Sequence, residues 1–356
     1  MINTIMDRIE KGKFVLIAEA GVNYYDIAEK MNISNMDAAK LMIREAKDAG
    51  IHAIKFQTYK AGTLAAKDSP YYWDITEEST RSQFELFSKF DLLNESDYQE
   101  LADYSNSLGL EFLSTAFDFE SADYLDKMMN VYKISSSDLS NLPFIEYQAK
   151  KGKPIILSIG ASNADEIDTA VQTIEKYNSC PITLLHCVLE YPTPYADTNL
   201  LKIASLKERY SNAIIGYSDH AKPKPGYDVI KTAYMLGAKV IEKHYTLDKT
   251  LKGNDHYHAM DPIDAKNILE GIDLLDTLCG CGDLKCLDTE KKARANARRS
   301  VVSKGFIPKG TEITSEMLTY KRPGTGISPT EVEKIIGKIS CKNIDDDTIL
   351  SWEMFN

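Results

Sequence analysis

Cysteine is scarce in this chain, six in 356 residues, tryptophan is scarcer at two, and no stretch of about 18 consecutive apolar residues occurs. Each shortage removes a class. Six scattered cysteines cannot staple a small secreted scaffold, so reduced thiols and a cytoplasmic location are expected. Cys279, Cys281 and Cys286 lie close together, but the text around them offers no fourth ligand for zinc. Without a long apolar run no membrane-spanning helix is expected, and residues 1–13 are too polar and charged for a secretory signal. Basic clusters are missing as well. The formal charge is −11, so nucleic acid is not an expected partner, and an anionic substrate would have to be held by a few placed cations.

What remains is ample for a large core, since 43% of the residues are hydrophobic. From Phe14 onward a short β-rich apolar run, a polar turn and a helical stretch follow one another eight times. The spacing predicts strands over 14–20, 53–58, 111–115, 131–135, 154–159, 182–187, 213–217 and 239–245. Their runs are apolar rather than alternating, as in a parallel sheet covered on both faces. Helices are predicted over 38–49, 95–108, 164–177, 199–210 and 264–278, several stopped by glycine at Gly50, Gly109 and Gly237. Eight such units read as an α/β fold of the TIM-barrel, (β/α)8, type. An open doubly wound sheet is the alternative, but no Gly-rich phosphate fingerprint follows the first strand.

The pattern stops after Leu278. The expected division is a barrel over 1–282, a Lys/Arg-rich connector over 283–299, and a small domain over 300–356 made of short strands, turns and one brief helix at 330–336. Under 60 residues is marginal for a lone domain, so packing on a barrel is expected, its own or a partner's.

Barrel enzymes place their chemistry at the carboxyl ends of the strands. Those ends deliver Glu19 and Asn23, Lys55 and Gln57, Ser114 and Thr115, Lys133 with Ser135 to Ser137, Ser158 and Gly160, His186 and Tyr191, Ser218 and His220, and His244. Two lysines and several hydroxyls suit an anion carrying phosphate and carboxylate. His220 and His244, each where an apolar run opens into a loop, suit a metal ion.

These texts, in order, make the chain similar to the sialic acid synthase family, a TIM barrel joined to a C-terminal antifreeze-like (SAF) domain. The matching stretches are Ile17-Ala18-Glu19-Ala20-Gly21-Val22-Asn23, Ile54-Lys55-Phe56-Gln57-Thr58, Ser114-Thr115-Ala116-Phe117-Asp118, Tyr132-Lys133-Ile134-Ser135-Ser136, Leu185-His186-Cys187 with Tyr191-Pro192-Thr193-Pro194, Gly216-Tyr217-Ser218-Asp219-His220, Ile241-Glu242-Lys243-His244 and Lys321-Arg322-Pro323-Gly324-Thr325-Gly326. The resemblance spans nearly the whole length. It implies condensation of phosphoenolpyruvate with an open-chain N-acylated amino sugar and water, giving a nine-carbon α-keto acid and phosphate. N-acetylmannosamine is the expected acceptor. A 2,4-diacetamido sugar, giving a legionaminic-type acid, and a 6-phosphorylated hexosamine are the alternatives.

Carried over by motif, the resemblance has His220 and His244 hold a divalent ion, manganese in first place with magnesium or cobalt behind it. Lys55, Thr115, Lys133, Ser136, Ser158 and Ser218 would bind phosphoenolpyruvate, and Asn23 and Gln57 at their strand ends are further substrate-binding candidates. Glu19, Tyr191 and Asp255 would face the sugar. Glu19 is the carboxylate best placed to move a proton. Arg322 would reach the N-acyl group from the other subunit of a domain-swapped homodimer. The chain also departs from the family. Asn23-Tyr24-Tyr25-Asp26 stands where Asn-His-Asn-Gly is usual, and Val188-Leu189 replaces a Thr-Asn or Thr-Ser pair. The loop Gly253-Asn254-Asp255-His256-Tyr257-His258 keeps its aspartate and adds His258, a candidate to stand in for the missing sugar-side histidine. A non-catalytic sugar- or ice-binding protein is the rival from another class. The intact set Glu19, Lys55, Lys133, His220 and His244 argues against it.

Overall fold

In the computed structural model, which describes residues 2–253 and 255–356, the chain forms two compact units, one up to Leu278 and one from Cys279 onward. The first is a closed barrel of eight parallel strands in sequence order: β1 (Val15–Gly21), β2 (Ala53–Thr58), β3 (Glu111–Ala116), β4 (Tyr132–Ile134), β5 (Ile155–Ser158), β6 (Ile182–His186), β7 (Ile214–Asp219) and β8 (Val240–His244). The strands predicted from sequence coincide with these to within a few residues, and the expected TIM-barrel class is what the chain adopts.

Side chains alternate across each strand, and this period of two sorts the barrel interior into layers. The lower layer is apolar: Ile17, Ala53, Leu113, Val131, Ile156, Leu185 and Val240 pack together, and helix Thr4–Glu10 closes the amino-terminal mouth with Ile5 and Met6. Two residues further along the same strands the interior turns polar, with Glu19, Lys55, Thr115, Lys133, Ser158 and Glu242. Space inside is tight. A Cβ on Gly216 of β7 would come within 2.4 Å of both Leu185 Cδ2 and the Val240 carbonyl, so only glycine fits there.

The outward faces of the strands meet the helices in a larger core that includes Phe56, Phe112, Tyr132, Tyr217 and Tyr245. Helix Ala164–Tyr177 starts on a reciprocal cap, in which the Asn163 side chain accepts from the Asp165 and Glu166 amides while Glu166 accepts from Asn163. Helix Glu95–Ser107 starts the same way on Asn94. The segment after β1, where the chain departs from the family text, is a helix, Tyr24–Met31, because Tyr24, Tyr25, Ile27 and Ala28 give it one buried face. Among the described residues no helix is long and apolar enough to cross a membrane.

The second unit pairs β9 (Ser300–Ser303) antiparallel with β10 (Leu318–Lys321) over its own core of Val301, Ile307, Ile313, Ile335 and Leu350. The brief helix expected at 330–336 is a 3-10 turn, Pro329–Lys334, with proline in its first turn. The stretch read as a connector carries the exposed helix Lys291–Ala297, whose Ala295 carbonyl accepts from the Gly324 amide.

Candidate active site

The polar layer opens upward into a cavity of about 620 Å³ at the carboxyl ends of the strands. Strand register brings its charges together: Glu19 pairs with Lys55 across β1 and β2 and with His244 across β1 and β8. Thr115 pairs with Lys133, and Ser218 with Glu242. Residues far apart in sequence thus become neighbours because each is an inward-facing position near the carboxyl end of its strand.

Four buried charges form the floor. Lys55 is in direct contact with Glu19 and lies 3.8 Å from Glu242, while Lys133 lies 3.6 Å from Glu242. Lys133 also donates to Ser158 Oγ at 2.8 Å, Lys55 to Thr115 Oγ1 at 3.2 Å, Gln57 to Glu19 at 2.9 Å and Ser218 to Glu242 at 3.3 Å. Two cations and two carboxylates balance formally, which lets all four stay below the surface. Their environments nonetheless differ. Burial raises the Glu19 pKa against the pull of Lys55, and Glu242 adds to the rise. Burial also opposes ionisation of Glu242, but Lys133 and Lys55 outweigh it and leave the pKa lowered. Burial lowers the Lys133 pKa, whereas at Lys55 the two glutamates overcome burial and raise it. Glu19 is therefore the carboxyl best able to carry a proton, and Glu242 the fixed anion.

Glu242 was not singled out from sequence. It lies two residues before His244, so the alternation along a strand places both on the inner face, and that spacing was the available signal. Lys243 between them faces outward, donating to Asp219 at 2.6 Å and to the Ala221 carbonyl at 2.7 Å.

Beside the floor, Ser136 Oγ accepts from the Gly160 amide at 2.8 Å and touches Cys187 Sγ at 3.1 Å. A Cβ at residue 160 would meet that sulfur at 2.9 Å, so the amide is presented by a backbone with no room for a side chain. Of the residues expected in the site, Glu19, Lys55, Gln57, Thr115, Lys133, Ser136, Ser158, Tyr191, Ser218, His220, His244 and Asp255 all line the cavity. Asn23 does not. Its amide donates to the Tyr245 carbonyl at 2.9 Å, tying the end of β1 to the end of β8. Ser114 faces the helices, bonded to Thr58, and His186 is buried with Nε2 against the Thr198 carbonyl. Arg322 is exposed in the second unit.

Above the floor, on one side, stand three imidazoles. The His220 ring centroid is 5.5 Å from that of His244, which is 4.8 Å from that of His258, and Tyr191 packs on all three rings. Burial drives the His220 pKa down to about 4 and those of His244 and His258 well below the usual histidine value. Neutral rings with free lone pairs are what a divalent ion requires. The His220 Nδ1 donates to the Val188 carbonyl at 2.6 Å, which leaves its Nε2 as the acceptor nitrogen. The buried Nδ1 of His244 has no partner. His244, Asp255 and His258 together form a group whose donor atoms lie within 4.8 Å of one another. The donor set thus fits a divalent ion.

The cavity lining also has an apolar and aromatic part, to which Leu64, Tyr72, Trp73, Phe87 and Phe117 contribute. Among the described residues, the only lysines lining the cavity are Lys55 and Lys133 at the floor, and no arginine joins them.

Residues 42–283 match the family model described as NeuB family, and residues 298–356 match that of the SAF domain. The N,N'-diacetyllegionaminic acid synthase of Legionella pneumophila is 37% identical over 359 residues, covering 99% of this chain and 97% of that protein. The human N-acetylneuraminate-9-phosphate synthase is 30% identical over 344 residues, covering 95% of this chain and 92% of its own. Among solved structures, the N-acetylneuraminic acid synthetase of Leptospira borgpetersenii in complex with citrate is 32% identical, with a TM-score of 0.68, over 79% of this chain and 90% of the other. On the barrel match, which spans most of the chain, and on full-length relatives at this identity, the chain belongs to the NeuB family and ends in a SAF domain.

Proposed function

We propose that the chain condenses phosphoenolpyruvate with an unphosphorylated N-acylated amino sugar, a 2,4-diacetamido sugar before N-acetylmannosamine, releasing phosphate and a nine-carbon α-keto acid. The observation that carries the reading is the floor, where two buried lysines and the hydroxyls of Thr115, Ser136, Ser158 and Ser218 line one cavity. A ligand with three negative charges in five atoms' reach needs such a set, and a neutral sugar does not.

Lys55 and Lys133 neutralise the phosphate and carboxylate, which would otherwise repel one another, and Thr115, Ser136, Ser158 and Ser218 supply oriented hydrogen bonds. Glu242 holds both ammonium groups in place and charged. C3 of the enol forms the new bond to the aldehyde carbon, the aldehyde oxygen takes a proton, water adds at C2, and the C2–O bond to phosphate breaks. Glu19, the carboxyl with the raised pKa, sits between Lys55 and His244 and is the group that delivers or accepts the proton there. His220 and His244, with Asp255 beside them, would hold the divalent ion, which when bound supplies Lewis-acid polarisation of the aldehyde carbonyl.

The apolar and aromatic part of the lining and the lack of cations away from the floor favour an acceptor with acetamido methyl groups and no phosphate. A 6-phosphate would meet Asp74, Asp255 or Glu190 rather than a lysine. The greater similarity to the Legionella enzyme than to the human one points the same way. Phosphate release from phosphoenolpyruvate, assayed with a 2,4-diacetamido sugar, N-acetylmannosamine and N-acetylmannosamine 6-phosphate, tests this. Highest kcat/KM on the first is expected. Preference for the phosphorylated sugar overturns the acceptor, and no phosphate release with any of them overturns the reading.

A further inference from the structure

Of the six histidines in the chain, all described by the structure, His258 alone has both ring nitrogens buried without a hydrogen-bond partner. The others each have one engaged or open. His52 Nδ1 accepts from the Leu16 amide, His186 Nε2 meets the Thr198 carbonyl, His220 Nδ1 donates to the Val188 carbonyl, and His256 is held at both nitrogens by Thr246 and Asp26. His244 has one buried nitrogen unpartnered. A histidine that serves only as packing keeps at least one polar partner, so the isolation of His258 calls for a ligand.

The surroundings say which kind. His258 Nε2 stands 3.8 Å from Asp255 Oδ1, and Asp255 Oδ2 stands 3.5 Å from His244 Nδ1. These separations are long for hydrogen bonds but suit a shared cation, since donors about 2.1 Å from one ion stand about 3 to 4 Å apart. The ring of His258 is fully buried behind Tyr191, whose centroid is 5.5 Å away, and does not line the cavity, so it cannot reach the acceptor sugar directly. The loop carrying it is pinned on both sides. His256 bonds Asp26 at 2.9 Å and Thr246 at 2.7 Å, and the Met260 amide donates to the His244 carbonyl at 2.8 Å. Such anchoring fixes donor positions before any ion arrives.

We propose that His258 is a further protein ligand of the divalent ion held by His220 and His244, with Asp255 standing between His244 and His258. It stands in for no sugar-side histidine. The added ligand still leaves open positions for substrate oxygen, and the protein's own donors hold the ion before either substrate binds. The inference rests on the metal-dependent reading above, yet it is tested without turnover.

The full chain is stripped with EDTA, and Mn2+ binding is followed by the electron spin resonance signal of the free ion, with no substrate present. His258→Ala and His258→Gln should each weaken Mn2+ binding by at least tenfold, with thermal unfolding midpoints checked in parallel. Affinity within twofold of the unaltered protein overturns the proposal. Because a buried substitution can disturb folding, the unaltered protein gives the second reading. Crystals soaked in Mn2+ should show an anomalous peak about 2 to 2.3 Å from a His258 nitrogen. A peak held by His220 and His244 alone, or no peak, overturns it. Phosphate release without Mn2+ contact at His258 sinks this inference and leaves the proposed function standing. Mn2+ contact without phosphate release does the reverse.

Discussion

Lys133 Nζ stands 3.6 Å from Glu242 Oε1, with both side chains buried at the floor of the barrel. Burial lowers the Lys133 pKa, and Glu242 is the largest influence opposing that fall. Glu242→Gln should therefore make Lys133 lose its proton at lower pH. The alkaline limb of kcat/KM for phosphoenolpyruvate is expected to move down by about one pH unit or more. An unmoved limb would show that Glu242 does not sustain the Lys133 charge.

The lysines should act on phosphoenolpyruvate rather than on the sugar. Lys55→Met and Lys133→Met are each expected to raise the phosphoenolpyruvate requirement by about a hundredfold, roughly 3 kcal/mol, with a much smaller change for the acceptor. Equal effects on both substrates count against the assignment. Each change also leaves a buried glutamate less well compensated, so the unfolding midpoint should drop in the same variants.

Chelation should abolish phosphate release, and Mn2+ should restore it. The double change His220→Ala with His244→Ala should cost little more than either single change, since each already ruins the same site. Full turnover by a metal-stripped sample, or additive losses in the double variant, would refute shared ion binding.

The barrel was legible because each strand is a short apolar run and each helix has its own start and stop signals, as at Asn163 and Gly50. The polar floor was legible at Lys55 and Lys133 because a lysine inside an apolar strand is conspicuous. Glu242 was overlooked because the more conspicuous His244 follows it. Asn23 looked like a binding residue and is a strap between two strand ends, a role fixed by a carbonyl 222 residues away that no local pattern reveals. His258 was visible in the sequence as an added loop histidine, but its place behind Tyr191, like that of Tyr72 in the cavity lining, came into view only through tertiary contact.

Glu111 offers a test of stability rather than catalysis. It begins β3 with one oxygen accepting from the Ile5 amide at 2.7 Å and the other buried without a partner. Burial pushes its pKa up to about 7. Between the ordinary carboxyl value, about 4.3, and about 7, the folded chain keeps a proton that the unfolded chain has released, so this group's contribution to stability falls as pH rises. Glu111→Gln should flatten that fall. The gap between variant and unaltered protein in thermal midpoint is expected to shift in favour of the variant from pH 5 to pH 8. A pH-independent gap would mean that Glu111 is ionised throughout.

The resemblance assigns Arg322 to the acyl group of a sugar in the partner's barrel, and the chemistry is testable without any image of the dimer. Arg322 is exposed, in a turn whose Gly324 amide is tied to the helix Lys291–Ala297. Nothing in its own unit uses the guanidinium as a buried pair, so a structural role predicts near-normal activity for Arg322→Ala, whereas a binding role predicts a raised acceptor KM. Mixing an inactive Lys133→Ala chain with an Arg322→Ala chain separates action in cis from action in trans. In a swapped dimer, each heterodimer contains one barrel with an intact Lys133 served by an intact Arg322 from its neighbour. Random re-pairing of equal amounts should then recover about a quarter of the unaltered activity. If subunits demonstrably exchange and the mixture shows only the summed activities of its parts, the arginine acts within its own chain or not on the substrate at all.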